Sequence, residues 1–184
     1  MKATDTLRTE HLAVSLMLEI MEAISVRITA GQSVQRQDLD NMIDFLSVFV
    51  DQCHHAKEEQ ILFPELELAG IAKNGGPIGV MLAEHDLARE YIRIVKKELL
   101  NYGSADPSQL TDLTGSMQAY IELLNEHTHK ENEILFEMAD KLLSEEVQDR
   151  LYYQFEELEE EVIGLGKHEE LHKILEKMSA VYLT

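Results

Sequence analysis

The sequence predicts an all-α fold: an antiparallel up-down four-helix bundle followed by two additional short C-terminal helices. Three observations point there. The 184 residues include only three prolines and nine glycines and no tryptophan, whereas the good helix formers Leu, Glu, Ala, Lys and Met are abundant. The helix breakers cluster at four places, Gly31 to Ser33, Gly70 to Pro77, Gly103 to Pro107 and Gly164 to Gly166. The stretches between them carry apolar residues three and four apart, the spacing of one buried helix face. With 45% apolar residues, a chain of this length buries a core without disulfide staples. Residues 1–184 are therefore expected to form one domain, with the bundle at 5–142 and a helical extension at 145–182.

The first helix is expected from Asp5 to Ala30, where Leu7, His11, Val14, Leu18 and Met21 or Glu22 share a stripe. The second covers Asp38 to Leu68, with Leu39, Ile43, Leu46, Val50 and His54 on one face. Pro64 should end or kink it near Phe63, because proline lacks the helical donor and crowds the preceding turn. The third spans Pro77 to Asn101 and the fourth Pro107 to Leu142, each with proline in the favoured first turn. Short loops between long amphipathic helices favour antiparallel packing. Two shorter helices follow, Glu145 to Val162 and Lys167 to Tyr182; the acidic run Glu156 to Glu161 on the first is expected to be a solvated face.

Charge and cysteine content exclude several functions. Sixteen basic against 35 acidic side chains give a formal net charge of −19, which repels nucleic acid and anionic membranes. The single cysteine, Cys53, forms neither an internal disulfide nor a redox pair by itself, and is expected in the core with an ordinary pKa or higher. The opening residues, MKATDTLRTEH, carry no apolar signal region, and no apolar run approaches the ~18 residues of a membrane span. The expectation is a soluble cytoplasmic protein.

An internal repeat carries the chemistry. A shift of 73 residues lays His54 to Phe63 (HHAKEEQILF) over His127 to Phe136 (HTHKENEILF), with six of ten positions identical. A shift of 74 lays Glu10-His11 over Glu84-His85. Each half of the chain thus contributes one histidine, then a His-x-x-Lys-Glu. Residues four apart lie one turn apart on the same helix face, so each histidine and its glutamate can reach one metal or two adjacent ones. The stripes place His54, Glu58, His127 and Glu131 inward, with His55, Glu59, His129 and Glu133 outward and Lys57 and Lys130 one residue off the inner face. His11 and His85 also lie on apolar stripes. A single buried histidine is commonly a structural residue, but six such groups in a duplicated pattern are not. Unpaired burial of Glu58 and Glu131 would cost several kcal/mol each, a cost that a bound cation removes.

Imidazole and carboxylate without thiolate suit iron, manganese or zinc, and this many mixed donors best suit a pair of six-coordinate irons. Such a pair offers about twelve positions. Four histidines, two bridging glutamates and a shared oxo or hydroxo group leave about two for a small molecule. The expected ligand is dioxygen, nitric oxide or peroxide.

These motifs resemble the hemerythrin-like (HHE cation-binding) family: the EH of Glu10-His11, the HxxKEExxLFP of His54 to Pro64, the EH of Glu84-His85 and the HxxKE of His127 to Glu131. The segment IGLGKHEE, Ile163 to Glu170, resembles the C-terminal extension of some members. The resemblance implies a non-haem di-iron centre held by His11, His54, Glu58, His85, His127 and Glu131, both glutamates bridging. Two departures bear on function. Arg89 stands where oxygen-carrying members have a second third-helix histidine, and the position five after His127 is Asn132 instead of aspartate. The set is closer to that of iron-centre repair proteins associated with nitrosative stress, whose cysteine-bearing N-terminal segment has no counterpart in these residues. Sensing, scavenging or stress repair is the implied role. The competing reading is a metal-handling or protein-interaction module without redox turnover.

Three further signals are weaker. His168 and His172 form a pair on the last helix, with His168 on its apolar stripe. Glu126/His129 and Glu169/His172 have ferritin-like Glu-x-x-His spacing, but the first pair falls on the outer face. Tyr120, two turns before His127, is placed to line an access route. The glycine-rich GIAKNGG segment lacks phosphate-loop spacing.

Overall fold

The computed structural model describes residues 2–100, 102–103 and 107–183. Among these the chain is helix and turn, with no strand. The expected end of the third helix at Asn101, and Ser104 to Asp106 of the third breaker, lie outside the described residues. The elements are α1 (Ala3–Thr29), α2 (Arg36–Asp44), the π-helices π1 (Phe45–His55) and π2 (Glu58–Leu62), α3 (Phe63–Leu68), α4 (Pro77–Leu99), α5 (Pro107–Lys130), π3 (Glu131–Leu135), α6 (Phe136–Leu142), α7 (Glu145–Val162) and α8 (Lys167–Tyr182). From α2 through α3 the chain stays helical, and so it does from α5 through α6.

Pro64 therefore does not end its helix. The π2 turn widens the ladder just before it, with Phe63 N–H donating to the Glu58 carbonyl five residues back. Proline then sits at the start of α3, where its missing donor is not needed. The second copy repeats the device: Phe136 N–H donates to the Glu131 carbonyl through π3. The turn before α4 depends on Gly76, where a Cβ would run into the Ala72 carbonyl oxygen.

α5 packs against α1 and α4, and π1 touches α1, α4, α7 and α8. Apolar side chains form two separate clusters. One contains Val14, Met17, Phe45, Phe49, Met117 and Leu124. The other contains Leu7, Leu62, Phe63, Met81, Phe136 and Phe155. Between Leu7 and Val14 on α1 lies His11, and the polar layer it belongs to separates the two clusters. The C-terminal helices are part of this packing: Leu171, Leu175, Met178 and Tyr182 of α8 join the first cluster, and Leu151 and Phe155 of α7 join the second. Ser144 caps α7 by accepting from Val147 N–H at 3.3 Å.

Candidate metal centre

All six predicted residues meet in the polar layer. His11, His54, Glu58 and Glu131 offer atoms within 4.8 Å of one another, and so do Glu58, His85, His127 and Glu131. The two glutamates belong to both groups. Each of the six is at most 2% exposed.

The histidines are fixed by their outer nitrogens. His54 Nδ1 donates to Glu10 Oε2 at 2.7 Å, and His127 Nδ1 donates to Glu84 Oε2 at 3.0 Å. Glu10 in turn accepts from Lys57 Nζ at 2.6 Å, and Glu84 from Lys130. His11 Nδ1 donates to Asn132 Oδ1 at 2.9 Å and His85 Nδ1 to Glu59 Oε1 at 2.7 Å. The internal repeat is thus one of hydrogen bonding as well as of sequence. In each half the EH glutamate holds the histidine of the following HxxKE, the motif lysine ties that glutamate, and the residue after the motif glutamate holds the opposite half's histidine.

This arrangement dictates the tautomers. With each Nδ1 committed as a donor, the four Nε2 atoms turn lone pairs inward, 3.0 Å apart between His11 and His54 and 3.1 Å between His85 and His127. The oxygens of Glu58 and Glu131 have no hydrogen-bond partner among the described residues. Opposed lone pairs and orphaned carboxylates in a buried layer need positive charge between them, and divalent cations fit that donor set. Without one, protons must serve. Burial, then Glu131, pushes the Glu58 carboxyl well above the usual range. Burial also works to raise Glu131, but His127 and His11 outweigh it and hold that carboxyl low. Burial lowers the His11 pKa, yet Glu131, Glu58 and Asn132 together outweigh it and the net shift is upward. His54 and His55 are kept neutral chiefly by burial.

Several side chains depart from the helix-stripe expectation. His55, expected outward, is 1% exposed; the wide π1 turn carries both His54 and His55 inside. Lys57, expected off the inner face, is fully buried between Glu10 and Glu159. Glu159, within the acidic run expected to be solvated, accepts from Lys57 Nζ at 2.7 Å, while Glu156, Glu157, Glu160 and Glu161 are exposed. Glu59 is not free on the surface but binds His85 and Arg89. Ile134, seven residues after His127 and so on its face at α-helical pitch, is 52% exposed because π3 resets the register. Glu126, His129 and Glu133 do lie outside. The orienting role of Glu10 and Glu84 was signalled by the repeated EH dipeptide, whereas His55 had no sequence signal.

Other sequence features resolve as packing. Burial pushes the Cys53 thiol up to about 12. The His168 and His172 rings lie 5.2 and 5.5 Å from Phe49. A cavity of about 190 Å³ between π1 and α4 is floored by His55 and Tyr120 and rimmed by Arg89, Arg93 and Lys96. Arg89 bonds Asp51 and Glu59, each at 2.7 Å, so it steadies the acceptor that holds His85.

Replacement of Glu84 by alanine is expected to weaken metal binding about 10–100-fold, because His127 loses the acceptor that fixes its tautomer. A chelator-competition titration measures this. An unchanged affinity would show that the bond to His127 is incidental.

Four imidazoles and two orphaned carboxylates held between apolar layers define a helical protein suited to binding cations. The chain belongs to the hemerythrin HHE cation-binding domain family, whose model matches residues 2–139. It is similar to the iron–sulfur cluster repair protein YtfE of Yersinia pseudotuberculosis serotype IB (strain PB1/+), with 38% identity over 88 residues, 47% of this chain and 40% of that protein. The protein of the same name from Yersinia pestis (strain Pestoides F) matches to the same identity and extent. The match thus spans 40% of the length of these curated relatives. No solved structure matches the chain. No helix among the described residues is long and apolar enough to cross a membrane.

Proposed function

We propose that the chain holds two iron ions between His11, His54, Glu58, His85, His127 and Glu131, with both glutamates shared, and binds or reacts with dioxygen, nitric oxide or peroxide. The setting is a single domain whose residues 5–142 form an antiparallel up-down four-helix bundle, extended by 145–182, in the cytoplasm. Iron–sulfur cluster repair under stress is the role that the similarity to YtfE favours. The observation that carries the reading is the pair of donor groups sharing Glu58 and Glu131, since two carboxylates common to two imidazole pairs suit two adjacent cations.

When bound, iron supplies Lewis acidity and one-electron exchange. The protein's own residues do the rest. Glu10, Glu84, Glu59 and Asn132 fix the four rings before any cation arrives, so little reorganisation is needed on binding. The apolar clusters exclude bulk water from both ends of the layer. The cavity over His55 offers a route for a small ligand, and Arg89 at its rim is held by Asp51 and Glu59.

Anaerobic loading with ferrous iron is expected to give about two irons per chain, and nitric oxide or peroxide should then change the spectrum. A His54→Ala/His127→Ala variant that keeps the full iron content would overturn the reading. A spectrum indifferent to every small ligand would favour a metal-handling module instead.

A further inference from the structure

We propose that Glu159, His168 and His172 form a further cation site outside the buried layer, taking one exchangeable divalent first-row ion such as zinc. It does not depend on the two-iron reading above. Gly164 and Gly166, both at positive φ, turn the chain tightly from α7 into α8, so His168 returns beside Glu159. Its Nδ1 lies 3.9 Å from Glu159 Oε1. The other oxygen of that carboxylate, Oε2, accepts from Lys57 Nζ at 2.7 Å, which leaves Oε1 to face the imidazole. His172 follows one helical turn later on the same face of α8. Packing against Phe49 holds both rings, yet neither makes a hydrogen bond among the described residues.

The two rings stand as the imidazole pairs of the buried layer do. Their centroids are 4.6 Å apart with planes at 59°, against 4.7 Å and 59° for His11 with His54 and 4.8 Å and 66° for His85 with His127. In that layer the imidazole nitrogens lie from 3.2 to 4.0 Å from the oxygens of Glu58 and Glu131, a range that includes the 3.9 Å between His168 and Glu159. The α8 pair thus repeats the spacing with one carboxylate instead of two, which suits a single ion. Donor atoms of Glu10, Glu159 and His168 fall within 4.8 Å of one another. Glu10 already holds His54 and Lys57, so it contributes charge and not a bond. His172 lies outside this group and joins by turning its partly exposed ring. Two carboxylates against the one ammonium of Lys57 leave the cluster a net negative charge. Two imidazoles and a carboxylate, with positions left for water, suit zinc and its first-row neighbours and not the oxygen-seeking magnesium or calcium. The side chains of His168 and Glu159 are 29% and 22% exposed, so this ion exchanges with solvent and is lost on desalting, unlike one in the sealed layer. Bound there, it ties the start of α8 to α7.

The test titrates zinc into the full chain against a chromophoric chelator, for wild type, His168→Gln/His172→Gln and Glu159→Gln, with helical circular dichroism as the folding control. Histidine side-chain NMR locates the ion. Wild type is expected to bind one more zinc per chain than the double histidine variant, whatever the buried layer holds, and that zinc shifts the His168 and His172 ring resonances. Glu159→Gln should weaken this one site by at least about 10-fold, the loss that follows even from removing an outer partner of a ligand. The histidine variant alters only partly exposed side chains and serves if Glu159→Gln, which also touches Lys57, does not fold. Equal zinc counts in wild type and the double variant would show that the two histidines only pack on Phe49. Equal affinity in wild type and Glu159→Gln would reduce the site to a bare histidine pair and overturn the three-donor assignment. Both comparisons are differences between chains with the same buried layer, so either failure leaves the two-iron reading intact.

Discussion

Substituting Glu58 by leucine is expected to abolish two-metal binding and, at the same time, to make the metal-free chain more stable. Glu58 is completely buried and its carboxyl oxygens have no hydrogen-bond partner among the described residues. Burial first, and the neighbouring Glu131 second, push its pKa well up, so the metal-free fold carries an acid with no partner that favours its charged form. Removing such a group relieves about 1–3 kcal/mol, and leucine fills a similar volume beside the apolar cluster of Leu62 and Phe63. The same change deletes a donor shared by both cations, so iron should no longer raise the unfolding temperature of the variant. Glu131→Leu provides the contrast. Burial works to raise that carboxyl too, but His127 and His11 hold it low, so its loss should abolish metal binding without any gain for the metal-free chain. Thermal unfolding with and without ferrous iron separates the cases. A metal-free Glu58→Leu chain that is less stable than wild type would mean that Glu58 is a structural core residue whose role does not depend on a cation.

Why that trade-off was foreseeable from sequence is a matter of periodicity. His54 with Glu58 and His127 with Glu131 are local i,i+4 pairs, and apolar neighbours fix which face they occupy. The duplicated spacing then supplies the long-range information that one pattern alone lacks, because two halves built alike bring their like residues to the same level. The boundaries of the two C-terminal helices were legible for the same local reason: serine caps one and glycine precedes the other. What escaped were features set by a change of helical pitch. A stripe counted at 3.6 residues per turn assigns His55 and Lys57 to the wrong side as soon as π geometry adds a residue to the turn. Propensity says nothing of that, since α and π turns share nearly the same backbone angles, and the choice is made by what the inner side chains can bind. Glu159 escaped for another reason: its partner lies in a different part of the chain, and an acidic run gives no hint which member turns inward.

Lys57→Met is expected to destabilise the protein by about 3–5 kcal/mol, whereas the repeat-related Lys130→Met should cost only about 0–1 kcal/mol. The two lysines do the same work locally, each tying the EH glutamate that holds a histidine, but their surroundings differ. Lys57 is fully buried and lies 2.6 Å from Glu10 and 2.7 Å from Glu159, because α7 covers it; Lys130 is 32% exposed at its side chain. Methionine preserves the bulk of the Lys57 stem and removes only the charge, leaving the Glu10 carboxylate buried without its cation. Water can replace Lys130 but cannot reach Glu10. Burial by itself lowers the Lys57 pKa, yet Glu10, Cys53 and Glu159 together outweigh it and the net shift is upward. A raised folded-state value means that this contribution is complete below the ordinary lysine range and lost only as pH climbs beyond it, so the difference between the variants should be the same at pH 6 and pH 8. For a chain of this size each kcal/mol moves the unfolding midpoint by about 2–4 °C, which places the two variants well apart. Adding Glu159→Gln to Lys57→Met should recover part of the loss by withdrawing one of the stranded carboxylates. Equal losses for the two single variants would mean that α7 does not seal this side of the centre in solution, and that Lys57 sits as open to water as Lys130.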